Sequence, residues 1–214
     1  MTEAAVTTAP APLLLACSPR RNGNSDTALR IARDVIYGPA VDAYGPEAAV
    51  PPVTYLRDHS VLPCISCGHC ERNKGECPLR ARDASGPLFH ALETAPTLVL
   101  AAPIFFYHIP AQLKALIDRS QAAWMLRYVW NVPRPPRRTA HIILMGARQQ
   151  GQKLFEGSLL SIKYWLELFG FDLAEPLTLY GLEGPDDLRD KEDPREAVVR
   201  YAEGIRNGLF PPEV

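Results

Sequence analysis

The sequence lacks any apolar run near the ~20 residues that a membrane-spanning helix needs. It lacks a basic excess as well: 23 Lys and Arg stand against 24 Asp and Glu, a formal net charge of −1. Nucleic acid is bound through such an excess, so that partner is not expected. The first twelve residues, MTEAAVTTAPAP, have neither the basic start nor the apolar centre of a secretory signal. They read as a disordered tail (1–12), and the chain as cytoplasmic, where thiols stay reduced. No internal repeat or long low-complexity segment interrupts the 214 residues, enough for one good-sized core.

Proline, by contrast, is abundant, with 21 residues. Many fall in connections, such as Pro51 and Pro52 or Pro133, Pro135 and Pro136, because proline cannot donate to a ladder or continue a helix. Between these breaks, apolar runs alternate with helical patterns. Strands are expected at 13–17, 53–58, 97–103, 141–146 and 176–182. Helices are expected at 25–38 (stopping at Gly38), 86–95, 110–124, 151–170 and 193–209. Strand followed by helix, five times, describes a doubly wound parallel α/β sheet covered on both faces. The expected domain is 13–210, with a cysteine-rich loop at 61–80. Ligands of such sheets bind at the carboxyl ends of the strands, beside the topological switch point.

Two loops fall at such ends. Directly after the first strand comes CSPRRNGNSDT, where Ser18, Asn24 and Ser25 supply hydroxyl and amide donors and Arg20 a charge. Gly23 allows close backbone approach, and the helix that follows presents free N–H groups. The turn is not GxGxxG and lacks the Lys-Ser/Thr of a triphosphate loop. It suits one terminal phosphate monoester, as in FMN, and equally reads as an ordinary polar βα loop capped by Asn24 or Ser25. After the third strand, Pro103, Ile104, Phe105, Phe106, Tyr107 and His108 form an aromatic loop fit to cover a flat, apolar ring. Phe105 and Phe106 packed in the core is the plainer alternative.

Four of the five cysteines lie in CISCGHCERNKGECP, residues 64–78. Cys64, Cys67 and Cys70 follow C-x2-C-x2-C, and Cys77 precedes a proline. That order suits an iron–sulfur cluster, each thiolate on a different iron, with Gly68 and Gly75 letting the backbone turn. Structural zinc usually pairs two knuckles well apart, with His59 and His69 here as possible helpers. A loop without any metal is the third reading. Cys17 reads as a buried small hydrophobe.

CSPRRNGNSD resembles the GSPRxxGNT/S loop of the flavodoxin-like NADPH-dependent FMN reductase family. APIFFYHIPAQLKALIDRS resembles that family's SPVYxxxxSAQLKAxxDR segment. With the cysteine loop between them, the chain is similar to the iron–sulfur flavoprotein branch, from the first strand to Arg119 and more loosely beyond. The resemblance implies a flavodoxin-like five-stranded sheet in the order 2-1-3-4-5, FMN and a [4Fe–4S] cluster. It implies that Ser18, Arg20, Asn22, Asn24 and Ser25 hold the phosphate and that Pro103, Ile104, Phe105 and Phe106 line the ring. In GARQQG the match is looser and points to Gly146 and Arg148. Cys64, Cys67, Cys70 and Cys77 would ligate the cluster. The reactive centre is then the flavin N5, with no catalytic side chain.

NAD(P)H or a ferredoxin-like protein is the implied donor, and a homodimer or homotetramer the implied assembly. An NAD(P)H-dependent FMN or quinone reductase without a cluster, and a pure electron carrier, are the alternatives. Three departures bear on hydrogen bonds at the flavin edge: Cys17 for glycine, Ala102 for serine, and Tyr107-His108 for a small residue. His108 as proton donor and Arg148 as a counter-charge to reduced flavin stand against the simpler reading of surface groups. Trp124, Tyr128 and Trp130 read first as packing.

Overall fold

The computed structural model describes residues 12–44 and 50–209. The tail expected at 1–12 therefore lies, but for Pro12, outside the described residues. The strands are β1 (Leu13–Ala16), β2 (Val53–Tyr55), β3 (Thr97–Pro103), β4 (Arg138–Met145), β5 (Phe171–Leu173) and β6 (Leu177–Leu179). They pair in parallel in the order β2-β1-β3-β4-β5, and β6 also pairs with β4. The fold is the expected flavodoxin-like α/β sheet.

Its fifth position is shared by two segments. β5 lies along the start of β4 (Arg138↔Phe171) and β6 along its end (Ile143↔Leu177). Between them runs Ala174-Glu175-Pro176, and proline cannot donate to the ladder, so the edge strand breaks there.

Period-two alternation sorts the apolar strands between two cores. Leu13, Leu15, Leu98, Leu100, Ile142 and Leu144 face α3 (Gly86–Thr94), α4 (Ala111–Arg119) and α6 (Glu156–Glu167). Leu14, Ala16, Val99, Ala101 and Ile143 face α1 (Asn24–Tyr44) and α8 (Glu192–Leu209). This double coverage explains why β1 and β3 are continuous apolar runs.

The helices depart from the sequence expectation in three places. First, α1 runs past Gly38 to Tyr44. A helical glycine costs only about 1 kcal/mol, and α1 packs along α8. Pro39 has no N–H for the Val35 carbonyl, and Arg206 Nη1 lies 3.5 Å from that oxygen instead. Second, the helix expected at 110–124 is two, α4 and α5 (Gln121–Tyr128). At the joint, Ser120 Oγ donates to the Leu116 carbonyl and accepts from Trp165 Nε1 at 2.8 Å. Third, α6 starts at Glu156, after a turn in which Lys153 is left-handed. Among the described residues two short α-helices, α2 (His69–Arg72) and α7 (Asp187–Asp190), and two 3-10 turns, Leu56–Asp58 and Pro78–Ala81, complete the elements. No helix among the described residues is long and apolar enough to cross a membrane.

Candidate functional site

The strand order reverses between β1 and β3, and the loops after them open a cleft there. One wall is the β1–α1 turn, with Ser18, Arg20, Gly23, Asn24 and Ser25. The other carries Pro103, Ile104 and Phe105. Met145, Ala147, Leu182 and Glu183 complete the lining. Ser18 and Ser25 are buried, at 6% and 2% exposure, and Ser18 Oγ accepts the Arg20 N–H at 3.1 Å. The first N–H groups of α1 have no intrahelical partners, and the helix dipole favours an anion before them. A Cβ on Gly23 would stand 3.3 Å from Arg20 Cδ, so glycine leaves room for Arg20 to fold back along the turn.

The turn is held from behind by a buried ion pair. Arg57 donates through Nη1 and Nη2 to both carboxylate oxygens of Asp26, each at 2.8 Å, with side-chain exposures of 8% and 1%. Arg57 Nη1 also reaches the Ser18 and Arg20 carbonyls at 3.3 Å. Asp26 in turn accepts from the Asn22 N–H at 2.8 Å, with Asn22 in the left-handed region at φ 55°. The charge on Asp26 is thus answered by Arg57, and the helix N-terminus keeps its pull on an anion. Asn24 is engaged elsewhere, since its Nδ2 donates to the Gly184 carbonyl and its Oδ1 accepts from the Leu188 N–H. It ties the last βα loop to the turn, which brings Leu182 and Glu183 to the cleft.

Asn22, Phe106, Gly146 and Arg148 lie outside the cleft lining. Phe105 and His108 exchange both backbone hydrogen bonds, and Phe106 and Tyr107 between them are left-handed, at φ 50° and 63°. Glycine or asparagine usually fills such a turn. Phe106 points fully into solvent. Arg148 donates to Tyr107 Oη at 2.9 Å, and His108 Nε2 lies 3.2 Å from Ser161 Oγ. Cys17 is fully buried, and burial pushes its thiol far up.

A second concavity, of about 480 Å3, is lined by Cys64, Cys67, Cys70 and Cys77 together, with Arg119 and residues of α5. Burial raises the Cys70 thiol, and repulsion from Cys77, Cys64 and Cys67 raises it further; a hydrogen bond to its own backbone opposes both. The four thiols are electrostatic neighbours. Gly68 and Gly75 are left-handed, at φ 66° and 78°. Among the described residues no three of His, Cys, Asp or Glu converge as ligands of a single ion. A cubane asks less convergence, since each thiolate binds a different corner.

Trp130 Nε1 braces the loop by donating to the Glu71 carbonyl. At its base, buried Asp83 accepts from the Leu62 N–H, from the Ser85 N–H and hydroxyl, and from Arg119. Burial pushes its pKa up, but these bonds outweigh burial and hold it at about 2. A depressed carboxylate contributes stability that is present above its unfolded pKa of about 4 and lost as pH falls through the folded value. The stability difference between wild type and Asp83→Asn is therefore expected to shrink by about 2 kcal/mol from pH 5 to pH 2. Urea titrations at a series of pH values measure it.

The arrangement defines a class: flavodoxin-like α/β proteins with a cleft at the β1–β3 switch and a cysteine-rich insertion. A family described as having a flavodoxin-like fold matches residues 63–203, about two thirds of the chain. An iron–sulfur flavoprotein of Methanosarcina thermophila is 28% identical over 153 residues, 72% of this chain and 71% of that protein. An iron–sulfur flavoprotein of Methanocaldococcus jannaschii is 31% identical over 104 residues, covering 49% of this chain and 48% of that protein. Among solved structures, an NAD(P)H:quinone oxidoreductase from Methanothermobacter marburgensis superposes with a TM-score of 0.62. It is 16% identical, over 97% of this chain and 99% of that one, a likeness of fold. The chain belongs to this flavodoxin-like family of flavin-dependent oxidoreductases, which includes the NADPH-dependent FMN reductases, in its iron–sulfur flavoprotein branch.

Proposed function

We propose that the chain holds FMN in the β1–β3 cleft and a [4Fe–4S] cluster in the cysteine cavity, and passes electrons between a donor and an acceptor through them. The observation that carries this is the gathering of four cysteines from one loop around one cavity, on a fold with a phosphate-suited turn at its switch point. Ser18, Ser25, Arg20 and the first amides of α1 would receive the phosphate, while Pro103, Ile104 and Phe105 would flank the ring. When bound, FMN supplies two-electron and one-electron chemistry and the cluster one-electron transfer. The donor is NAD(P)H or a ferredoxin-like protein, and the protein works as a homodimer or homotetramer.

Anaerobically purified protein is expected to show a flavin spectrum over a broad brown shoulder, with about four irons and four sulfides per chain. A clean flavin spectrum with zinc, or with no metal, sinks the cluster and leaves a simple flavin reductase. Rapid steady-state oxidation of NAD(P)H by the loaded protein excludes a pure carrier.

A further inference from the structure

The cysteine loop departs from the fold at Leu62 and returns at Asp83, and one side chain fastens both ends. Arg119, the last residue of α4, donates through Nη1 to the Leu62 carbonyl at 2.9 Å and to Asp83 Oδ2. Through Nη2 it reaches Ser85 Oγ at 3.3 Å. Asp83 completes the clasp by accepting the Leu62 N–H at 2.9 Å, so both backbone groups of Leu62 are held by this one pair. The pair is almost wholly withdrawn from water, with side-chain exposures of 1% for Arg119 and 0% for Asp83.

Burial of an ion pair is rarely a gain in stability alone, because desolvation offsets most of the attraction. Two observations give this pair a further role. Arg119 forms part of the wall of the cysteine cavity, and Asp83 does not. The positive member of the pair thus belongs to the residues that line the thiols' cavity, and the negative member does not. In addition, Arg119 Nε is buried without a hydrogen-bond partner. A buried unpaired donor on a cation that lines the same cavity as four thiols has a natural acceptor in an anionic, thiolate-ligated group.

We infer that Arg119 is the positioning residue of the cysteine cavity: it clasps the two ends of the loop and sets, by its charge, the reduction potential of the group the thiols hold. The inference rests on the cluster reading above. A cation near the cluster stabilises the more negative, reduced state. Removing it, while Asp83 stays charged, favours the oxidised state; neutralising Asp83 favours the reduced one.

The test is a redox titration of the cluster, followed by visible and electron paramagnetic resonance spectra, in loaded wild type, Arg119→Gln, Arg119→Lys and Asp83→Asn. Flavin content and circular dichroism report folding. At the wild-type midpoint, Arg119→Gln is expected to raise the oxidised-to-reduced ratio about tenfold, equivalent to ~59 mV for one electron. Asp83→Asn shifts the ratio the opposite way, and Arg119→Lys leaves it within about threefold but loses iron to a chelator about tenfold faster. A purely structural role predicts no pair of shifts of opposite sign. Folded Arg119→Gln or Asp83→Asn protein with an unshifted ratio overturns the inference. Should Arg119→Gln not fold, Asp83→Asn decides alone. Wild-type protein that takes up no iron overturns the cluster reading and this inference together, and is recognised because the wild type itself fails.

Discussion

Arg57→Met is expected to weaken FMN binding about a hundredfold or more and to destabilise the fold by about 3–5 kcal/mol. Arg57 is the sole guanidinium bonded to Asp26 among the described residues, and both groups are nearly inaccessible. Removing it strands a carboxylate in the first turn of α1, behind the proposed seat of the phosphate. At an effective dielectric constant of about 20, two unit charges ~8 Å apart repel by about 2 kcal/mol, and a phosphate dianion doubles that. Each 1.4 kcal/mol is tenfold in affinity. The turn also loses the bonds from Arg57 to the Ser18 and Arg20 carbonyls, which shape its floor. Fluorescence titration with FMN and with riboflavin checks the reading. Riboflavin has no phosphate, so its affinity should fall far less than that of FMN. The double variant Asp26→Asn/Arg57→Met removes the stranded charge and should recover most of the FMN affinity. Equal losses for the two flavins would place the phosphate elsewhere.

Arg57 also marks where the sequence falls silent. The order of the sheet was readable because each strand is an apolar run followed by a helical pattern, and β3 was readable to the residue at 97–103. The turn after β1 and the cysteine loop could be singled out because the residues of each are contiguous. Arg57 and Asp26 are 31 positions apart, and Asp83 and Arg119 are 36 apart. Nothing in YLRD or RARDAS announces a partner, because an ion pair leaves no periodicity.

The same holds for Leu182 and Glu183. The acidic stretch 183–196 reads as a solvated loop and helix start, yet Asn24 pulls its beginning onto the cleft. Arg148 and Tyr107 are a further pair that the sequence does not announce. Both sit in segments that resemble flavin-contacting loops; here they bond to each other, and the turn presents Phe106 to solvent. Side-chain direction at a left-handed residue is decided by backbone torsion, which the letters Phe-Phe-Tyr-His do not disclose.

Gly75→Ala should cost about 2–5 kcal/mol and about tenfold or more in iron retention against a chelator. Two separate penalties add. The residue stands at φ 78°, where a side chain costs about 1–2 kcal/mol. Its Cβ would fall 2.3 Å from Leu126 Cγ and 2.7 Å from Cδ2, so α5 or the loop must yield, at about 1–3 kcal/mol. Gly75 lies between Cys70 and Cys77 and donates its N–H to the Cys70 carbonyl at 2.8 Å, so movement here separates two thiols of the cavity.

Gly68 provides the control. It is left-handed too, but a Cβ there meets only the guanidinium of Arg72, the far end of an exposed, flexible side chain that also reaches the Cys67 carbonyl at 3.2 Å. Gly68→Ala should therefore lose only the backbone part, about 1–2 kcal/mol. Leu126→Ala should relieve the contact part of Gly75→Ala and leave its backbone part in place. Urea denaturation and iron release of the three variants separate the terms. Equal losses at the two glycines would mean that the loop does not rest on α5, and that the cavity is shaped by backbone torsion alone.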